Sequence, residues 1–200
     1  MVHGFLLLLI PMCLAAQQTG DFLWDMDDDG FLLITDYVGT SKDVVIPRTI
    51  NGILVISIWD DAFAGKELTS VIIPDSIRVI GNRAFWGNFL TNIVIPDSVT
   101  TIRDGAFAEN SLLTHITIPQ SVKSIGSYVF DDTPITNITI GQGVSLGRFT
   151  HGRVNFGVMG FDDFSFNEAY LSGGSLAGTY TRQNAESSTW TRSYVPFADY

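Results

Sequence analysis

The acidic stretch Asp25-x-Asp27-x-Asp29-Gly30, with Asp36 at the twelfth position, is the segment that comes nearest to a ligand-binding pattern. Carboxylates at positions one, three and five, glycine at six and apolar Leu32 at eight match most of a calcium-loop template. Aspartate replaces glutamate at position twelve, however, and no helical pattern flanks the loop. The same residues make an acidic hairpin turn, which is the reading expected here, with no calcium or other metal bound. Paired carboxylates recur at Asp60-Asp61, Asp131-Asp132 and Asp162-Asp163. Glycoside hydrolysis needs two carboxyls about 5–10 Å apart across a cleft, whereas neighbours on a loop point apart, so these read as solvated charge. His115 and His151 have no evident nucleophile to serve, so no triad is assembled. Cys13 is the sole cysteine. Asn137-Ile138-Thr139 matches a glycosylation sequon but lies within a strand pattern, and is taken as coincidence. The chain is therefore expected not to be an enzyme and to need no cofactor.

Composition narrows the partners. The 200 residues suit one domain of ordinary size, or one with a short appendage. With 46% hydrophobic and only 16% charged residues, a packed core is expected. The 11 Lys and Arg against 21 Asp and Glu leave a net charge of −10. Phosphate backbones and anionic membrane surfaces both demand cations, so both are disfavoured. Phe5 to Ile10, followed by Pro11, Met12, Cys13, Leu14, Ala15 and Ala16, is an apolar run ending in small residues. It is too short to span a bilayer, which takes about 20 apolar residues, and reads as a secretory signal peptide over residues 1–16. Cleavage is placed after Ala16, with Ala15 the alternative. The leading segment carries His3 but no Lys or Arg. Met12 stands where a lipid-attachment cysteine wants a small residue, so a lipid anchor at Cys13 is disfavoured. No later segment approaches transmembrane length. Location is thus expected to be secreted or at the cell surface.

The rest of the chain is organised by an internal repeat. Ile-Pro pairs stand at Ile46-Pro47, Ile73-Pro74, Ile95-Pro96 and Ile118-Pro119, and Ile140-Gly141 closes the series. The prolines are 27, 22 and 23 residues apart. Ala62-Phe63, Ala84-Phe85, Ala106-Phe107 and Val129-Phe130 recur in phase. In each unit a stretch such as Leu68–Ile73 alternates like a short strand, and proline ends it because it lacks the N–H a ladder needs. The spacing of Ile77, Ile80 and Phe85 reads as a tight or helical turn. A unit this short cannot bury its own apolar face, so neighbours must stack. Stacking aligns Ile58, Ile80, Ile102 and Ile125 in one internal column and Phe63, Phe85, Phe107 and Phe130 in another. The expected fold is a solenoid with one short parallel strand per coil.

Leu90, Ile93, Ile95, Pro96, Val99, Ile102, Ala106 and Phe107 follow the order Leu-x-x-Ile-x-Ile-Pro-x-x-Val-x-x-Ile-Gly-x-x-Ala-Phe-x-x-Cys. In this the chain resembles the BspA-like, Treponema-type leucine-rich repeat, over about residues 41–147. It departs at the cysteine place, held by Lys66, Asn88, Asn110 and Thr133, and at the glycine place, held by Trp59, Gly81, Arg103 and Gly126. Asparagine can satisfy loop backbone groups at the cysteine place. The run Ala177–Arg192 is similar to tails appended to treponemal exported proteins of this kind. The resemblance implies surface exposure and binding of host or neighbouring-cell proteins rather than catalysis.

An open solenoid exposes its core and strand edges, so both ends need caps. Residues 17–40 are expected to form an N-terminal β cap, with Phe22, Trp24 and Met26 alternating before an Asp29-Gly30 turn. Residues 41–147 form four to five repeat coils. Residues 148–200 form a C-terminal β-rich segment read as hairpins, including Phe149, Phe156, Phe161, Phe164 and Phe166 and a Gly/Ser break at 172–175.

Strand alternation points the candidate binding residues outward. Asp43, Ser70, Asn92, His115 and Asn137 form one ladder, and Val45, Ile72, Val94, Thr117 and Thr139 a second. The second is apolar at one end and hydroxylic at the other. β-propensity alone favours Val, Ile and Thr, but an exposed apolar strip also seeks a partner. Trp59 and Trp86 stand in loops where other repeats carry small or polar residues, and are candidate hot spots. The protein-binding set is therefore Val45, Ile72, Asn92, Val94, His115, Thr117, Asn137, Thr139, Trp59 and Trp86. Five coils at about 4.8 Å make a sheet only about 24 Å long, so a single copy is expected to bind weakly. The expected function is a non-catalytic protein-binding module, an adhesin. The alternative is a structural or assembly component of the cell envelope with no external ligand.

Overall fold

The computed structural model describes residues 17–146, 165–187 and 189–193. Residues 1–16, read above as a signal peptide and including His3 and Cys13, lie outside them, as do His151, Asp162, Asp163 and the phenylalanines from Phe149 to Phe164. In chain order the elements are β1 (Gln17–Thr19), β2 (Phe22–Met26), β3 (Leu32–Tyr37), β4 (Asp43–Val45), β5 (Thr49–Ile50), β6 (Ile53–Ile58), β7 (Ser70–Ile72) and β8 (Val79–Ile80). Then follow β9 (Thr101–Ile102), β10 (His115–Ile118), β11 (Ser124–Ile125), β12 (Asn137–Ile140), β13 (Ser145–Leu146), α1 (Ser165–Ser172), β14 (Gly178–Thr181) and β15 (Thr191–Ser193).

The repeat builds a stack of coils joined by parallel ladders. On the first, β4 pairs β7 with Val45 beside Ile72, and β10 pairs β12 with Thr117 beside Thr139. Between these pieces Asn92–Ile95 keeps the alternation of exposed and buried residues but joins neither ladder. A second ladder runs β6-β8-β9-β11-β13 and sets Ile58, Ile80, Ile102, Ile125 and Leu146 side by side. The coils thus carry a second short strand where the spacing of Ile77, Ile80 and Phe85 suggests a turn. Two residues are too few to show a period of two, yet their backbone groups face the equivalent residues one coil away and pair with them. The loop stretch is also bonded between coils: Phe63 N donates to Ala84 O at 2.8 Å, Phe85 N to Ala106 O at 2.8 Å and Phe107 N to Val129 O at 2.9 Å.

Inside, the two predicted columns are buried along their whole length. The aromatic column begins in the cap: Tyr37 stacks on Phe63, and Phe63, Phe85, Phe107 and Phe130 follow at centroid separations of 5.2, 5.5 and 5.8 Å. The cysteine place does the polar work. Asn88 and Asn110 are fully buried. Asn88 Oδ1 accepts from Leu68 N, and its Nδ2 donates to the carbonyls of Phe63 and Phe85. Asn110 repeats this one coil on, accepting from Leu90 N and donating to Phe85 and Phe107. Thr133 Oγ1 donates to Phe107 O and accepts from Asn110 N. In the first coil Lys66 instead pairs with Asp36 of the cap at 2.8 Å. Each side chain replaces partners that a loop between coils would otherwise lack.

The ends are closed differently. β1, β2 and β3 form an antiparallel meander, and β3 then pairs parallel with β6. Tyr37 N donates to Ala62 O, so the meander continues the loop stretch as well as the second ladder. At the other end β14 pairs antiparallel with β12 and with β15, the hairpin anticipated within Ala177–Arg192. Within the segment read as β hairpins, residues 165–172 instead form helix α1, which places Tyr170 over the last coil. Tyr170 Oη donates to Gly141 O at 2.8 Å and accepts from Val144 N at 2.9 Å, and its ring meets Tyr180 edge-on at 5.9 Å. Arg182 is buried under Trp190 at 5.0 Å and donates to Ile135 O at 2.7 Å.

Candidate functional site

The acidic stretch near the N-terminus is a turn between β2 and β3. Asp27 Oδ1 accepts from Asp29 N and Phe31 N, and Gly30 N donates to Asp27 O. A carboxylate spent on two backbone N–H groups stabilises the turn itself. Among the described residues no group of three acidic, His or Cys side chains converges as a metal site.

On the face that the first ladder and Asn92–Ile95 share, the outward residues stand as the alternation requires. Val45, Ile72 and Val94 are 64%, 59% and 70% exposed, an unusual condition for three aliphatic side chains in successive coils. Asn92, His115 and Thr117 are exposed as well, whereas Asn137 and Thr139 are half-buried. The cause is β14, which extends the sheet past them: Thr139 Oγ1 lies 2.9 Å from Thr179 Oγ1. The polar end therefore continues as Thr117, Thr139, Thr179, Ser193 in one row and His115, Asn137, Thr181, Thr191 in the next. One sheet face is apolar at the β4 end and hydroxylic at the β15 end.

Trp59 and Trp86 are both exposed but belong to the loop stretch rather than to this face. Trp86 lines an open groove of about 550 Å³ whose lining also includes Asp60, Arg83, Asp104, Ala108, Tyr128 and Asp131. Trp59 is not part of it. Within the groove Asp60 accepts from Asn82 N and Nδ2, and Asp61 pairs with Arg83 at 2.8 Å. Asp104 Oδ1 accepts from Ser127 N at 2.8 Å. Although Asp131 is exposed as a residue, desolvation of its carboxyl raises its pKa above the ordinary value, and the charges of Asp132 and Glu109 raise it further. The Arg83 guanidinium is held more firmly protonated by its hydrogen bond to Asp61.

The outward pattern of the ladder could be read from period two, but the groove could not, because it is made by small residues. Two further exposed apolar residues, Phe89 and Leu112, stand just before the buried Leu90 and Leu113 of adjacent coils. They occupy the same place in the repeat as Glu67 and Pro134, which is the one signal that could have marked them. No helix among the described residues is long and apolar enough to cross a membrane.

Comparison with known proteins agrees with this architecture. No curated protein matches the chain. Among solved structures it is similar to the Treponema pallidum leucine-rich repeat protein TpLRR at 31% identity and a TM-score of 0.52, with 58% of this chain and 56% of that one covered. It is also similar to a leucine-rich repeat protein from Bacteroides ovatus at 29% identity and a TM-score of 0.60, with 66% and 37% covered. The chain thus spans little more than half the length of the first and about a third of the second. The model of the BspA type leucine-rich repeat region matches in six copies over residues 40–149. That is more than half of the chain, and the chain belongs to the BspA-type leucine-rich repeat family.

Proposed function

We propose that the chain is an exported, surface-displayed module that binds a protein partner through the outward face of the first ladder, with adhesion as its role. The observation that carries this reading is the row Val45, Ile72 and Val94, three aliphatic side chains left in water by a fold whose core does not need them. Asn92, His115, Thr117, Asn137 and Thr139 supply the adjoining polar contacts, and residues 1–16 direct export. A stable interface takes about 800 Å² from each partner, more than so short a strip offers. One copy therefore binds weakly, and retention comes from several copies engaging together.

The test compares the chain with Ile72→Ser, Val94→Ser, His115→Ser in one variant. These side chains leave the core untouched, so thermal melting should hardly move, within about ±0.5 kcal/mol. Capture of matrix or envelope proteins on chain-coated beads should fall for the variant. Equal capture by a variant that melts normally sinks the sheet-face reading. Protease accessibility on intact cells separates this role from a buried structural part of the envelope, in which the chain would be protected.

A further inference from the structure

The groove in the loop stretch has a shape that follows from two columns of the repeat. One column is Asp61, Arg83, Gly105, Tyr128 and the other is Ala64, Trp86, Ala108, Asp131. The third coil holds the smallest residue of the first column and a methyl group of the second. Its neighbours hold Arg83 and Trp86 on one side and Tyr128 and Asp131 on the other. All ten residues that line the space belong to these coils and their immediate neighbours in the stack. The two walls stand two coil spacings apart, about 9.5 Å. Over Gly105 the Arg83 side chain leans in, its Cγ 3.2 Å from where a Cβ would stand, so the inserted group is placed over Ala108, between Trp86 and Asp131. Backbone geometry keeps the pattern: Asp61, Arg83, Gly105 and Tyr128 all turn at positive φ, so a tyrosine with φ 56° stands where the preceding coil has glycine.

Charge selects what the gap accepts. Asp61 is neutralised by Arg83, and Asp60 is engaged by Asn82 and lies 4.0 Å from Arg103. Asp104 and Asp131 have no cation partner among the described residues. Asp131 is moreover crowded by Asp132 and Glu109, the pattern of a carboxylate that a cation would relieve.

We infer that this groove is a second binding site, which takes an arginine side chain of a peptide or protein partner against the Trp86 ring, above Ala108, with Asp131 and Asp104 receiving the guanidinium. A guanidinium is flat, stacks on aromatic faces and presents paired donors to carboxylates, whereas an ammonium offers a point charge and no plane. A volume near 550 Å³ falls within the range of roughly 300–1,000 Å³ usual for small-ligand clefts. The site is separate from the sheet face and stands or falls without it.

The test uses the full chain and two blocked peptides, Gly-Arg-Gly and Gly-Lys-Gly, titrated by calorimetry or by amide shifts. Arginine peptide should bind several-fold more tightly than lysine peptide, and its affinity should drop as salt rises. Trp86→Ala and Asp131→Asn, both on exposed side chains, should each weaken it about tenfold with melting checked in parallel. Ile72→Ser, Val94→Ser, His115→Ser should leave it unchanged. No binding of the arginine peptide, or equal binding by Asp131→Asn, overturns the proposal. So does tighter binding of a neutral oligosaccharide such as chitohexaose, undiminished by Asp131→Asn, which would make the groove a sugar site.

Discussion

The rings of Phe85 and Phe107 lie parallel to within 1°, with centroids 5.5 Å apart and both side chains fully buried. Each ring is wall to one neighbour and floor to the next, so its loss is felt in two directions along the stack. Phe107→Ala should lower stability by about 3–5 kcal/mol, read as a fall in the urea midpoint. A loss under about 1 kcal/mol would mean that the column is not the main packing element.

Asn110 is expected to matter for a different reason. Its side chain serves Leu90 N and the carbonyls of Phe85 and Phe107. Asn110→Ala leaves these buried groups without partners, at about 1–3 kcal/mol for each group not reached by water. We expect a loss of at least about 2 kcal/mol in denaturant titration, with faster exchange of the Leu90 amide. Unchanged exchange at Leu90 would contradict the bond.

Glycine is required at only half of its places in the repeat, and the reason is visible at Gly126. A Cβ there would lie 2.3 Å from Asp104 Oδ1 and 2.5 Å from Asp104 N. The same carboxylate oxygen accepts from Ser127 N, so the aspartate and the glycine come as a pair. Gly81 stands in the same relation to Asp60, whose Oδ1 accepts from Asn82 N. Where Asn82 replaces the aspartate, Asp104 N reaches its Oδ1 at a longer 3.2 Å and Arg103 holds the glycine place. Gly126→Ala should therefore cost more than about 2 kcal/mol. A neutral effect on melting would refute the close approach.

Asp131 supplies a prediction with a pH sign. Its folded-state pKa is raised, chiefly by desolvation and then by Asp132 and Glu109. The folded chain thus holds this proton more tightly than the unfolded chain does. The associated stability is present below the ordinary carboxylate value, about 3.9, and is lost as pH rises through the raised value. Asp131→Asn should then raise the melting temperature modestly at pH 7 and have little effect near pH 3. The same increment at both pH values would rule out the charge explanation.

The stack was legible because its determinants are large and periodic. Ile58, Ile80, Ile102 and Ile125, like the four phenylalanines, recur at the coil length and need nothing else to identify them. The outward faces of Ile72 and Val94 followed from alternation. Other features escape such reading for definite reasons. The strand Val79–Ile80 is too short to show a period and exists because an equivalent segment lies one coil away on either side. Helix α1 draws its place from Tyr170 reaching Gly141 and Val144, contacts between distant parts of the chain. The groove is written in Gly105 and Ala108, residues whose contribution is the volume they do not fill.

The bonds that join successive coils all run along the stack, in both ladders and in the loop stretch. This direction has a mechanical meaning. Force applied between the β2–β3 end and the β14–β15 end loads these bonds one coil after another, as a zip, and not all at once in shear. Coils should peel off singly, each freeing 22 or 23 residues, the separation of the later prolines, or about 75 Å of extended chain. A chain of this design yields by lengthening one coil at a time rather than by failing all at once.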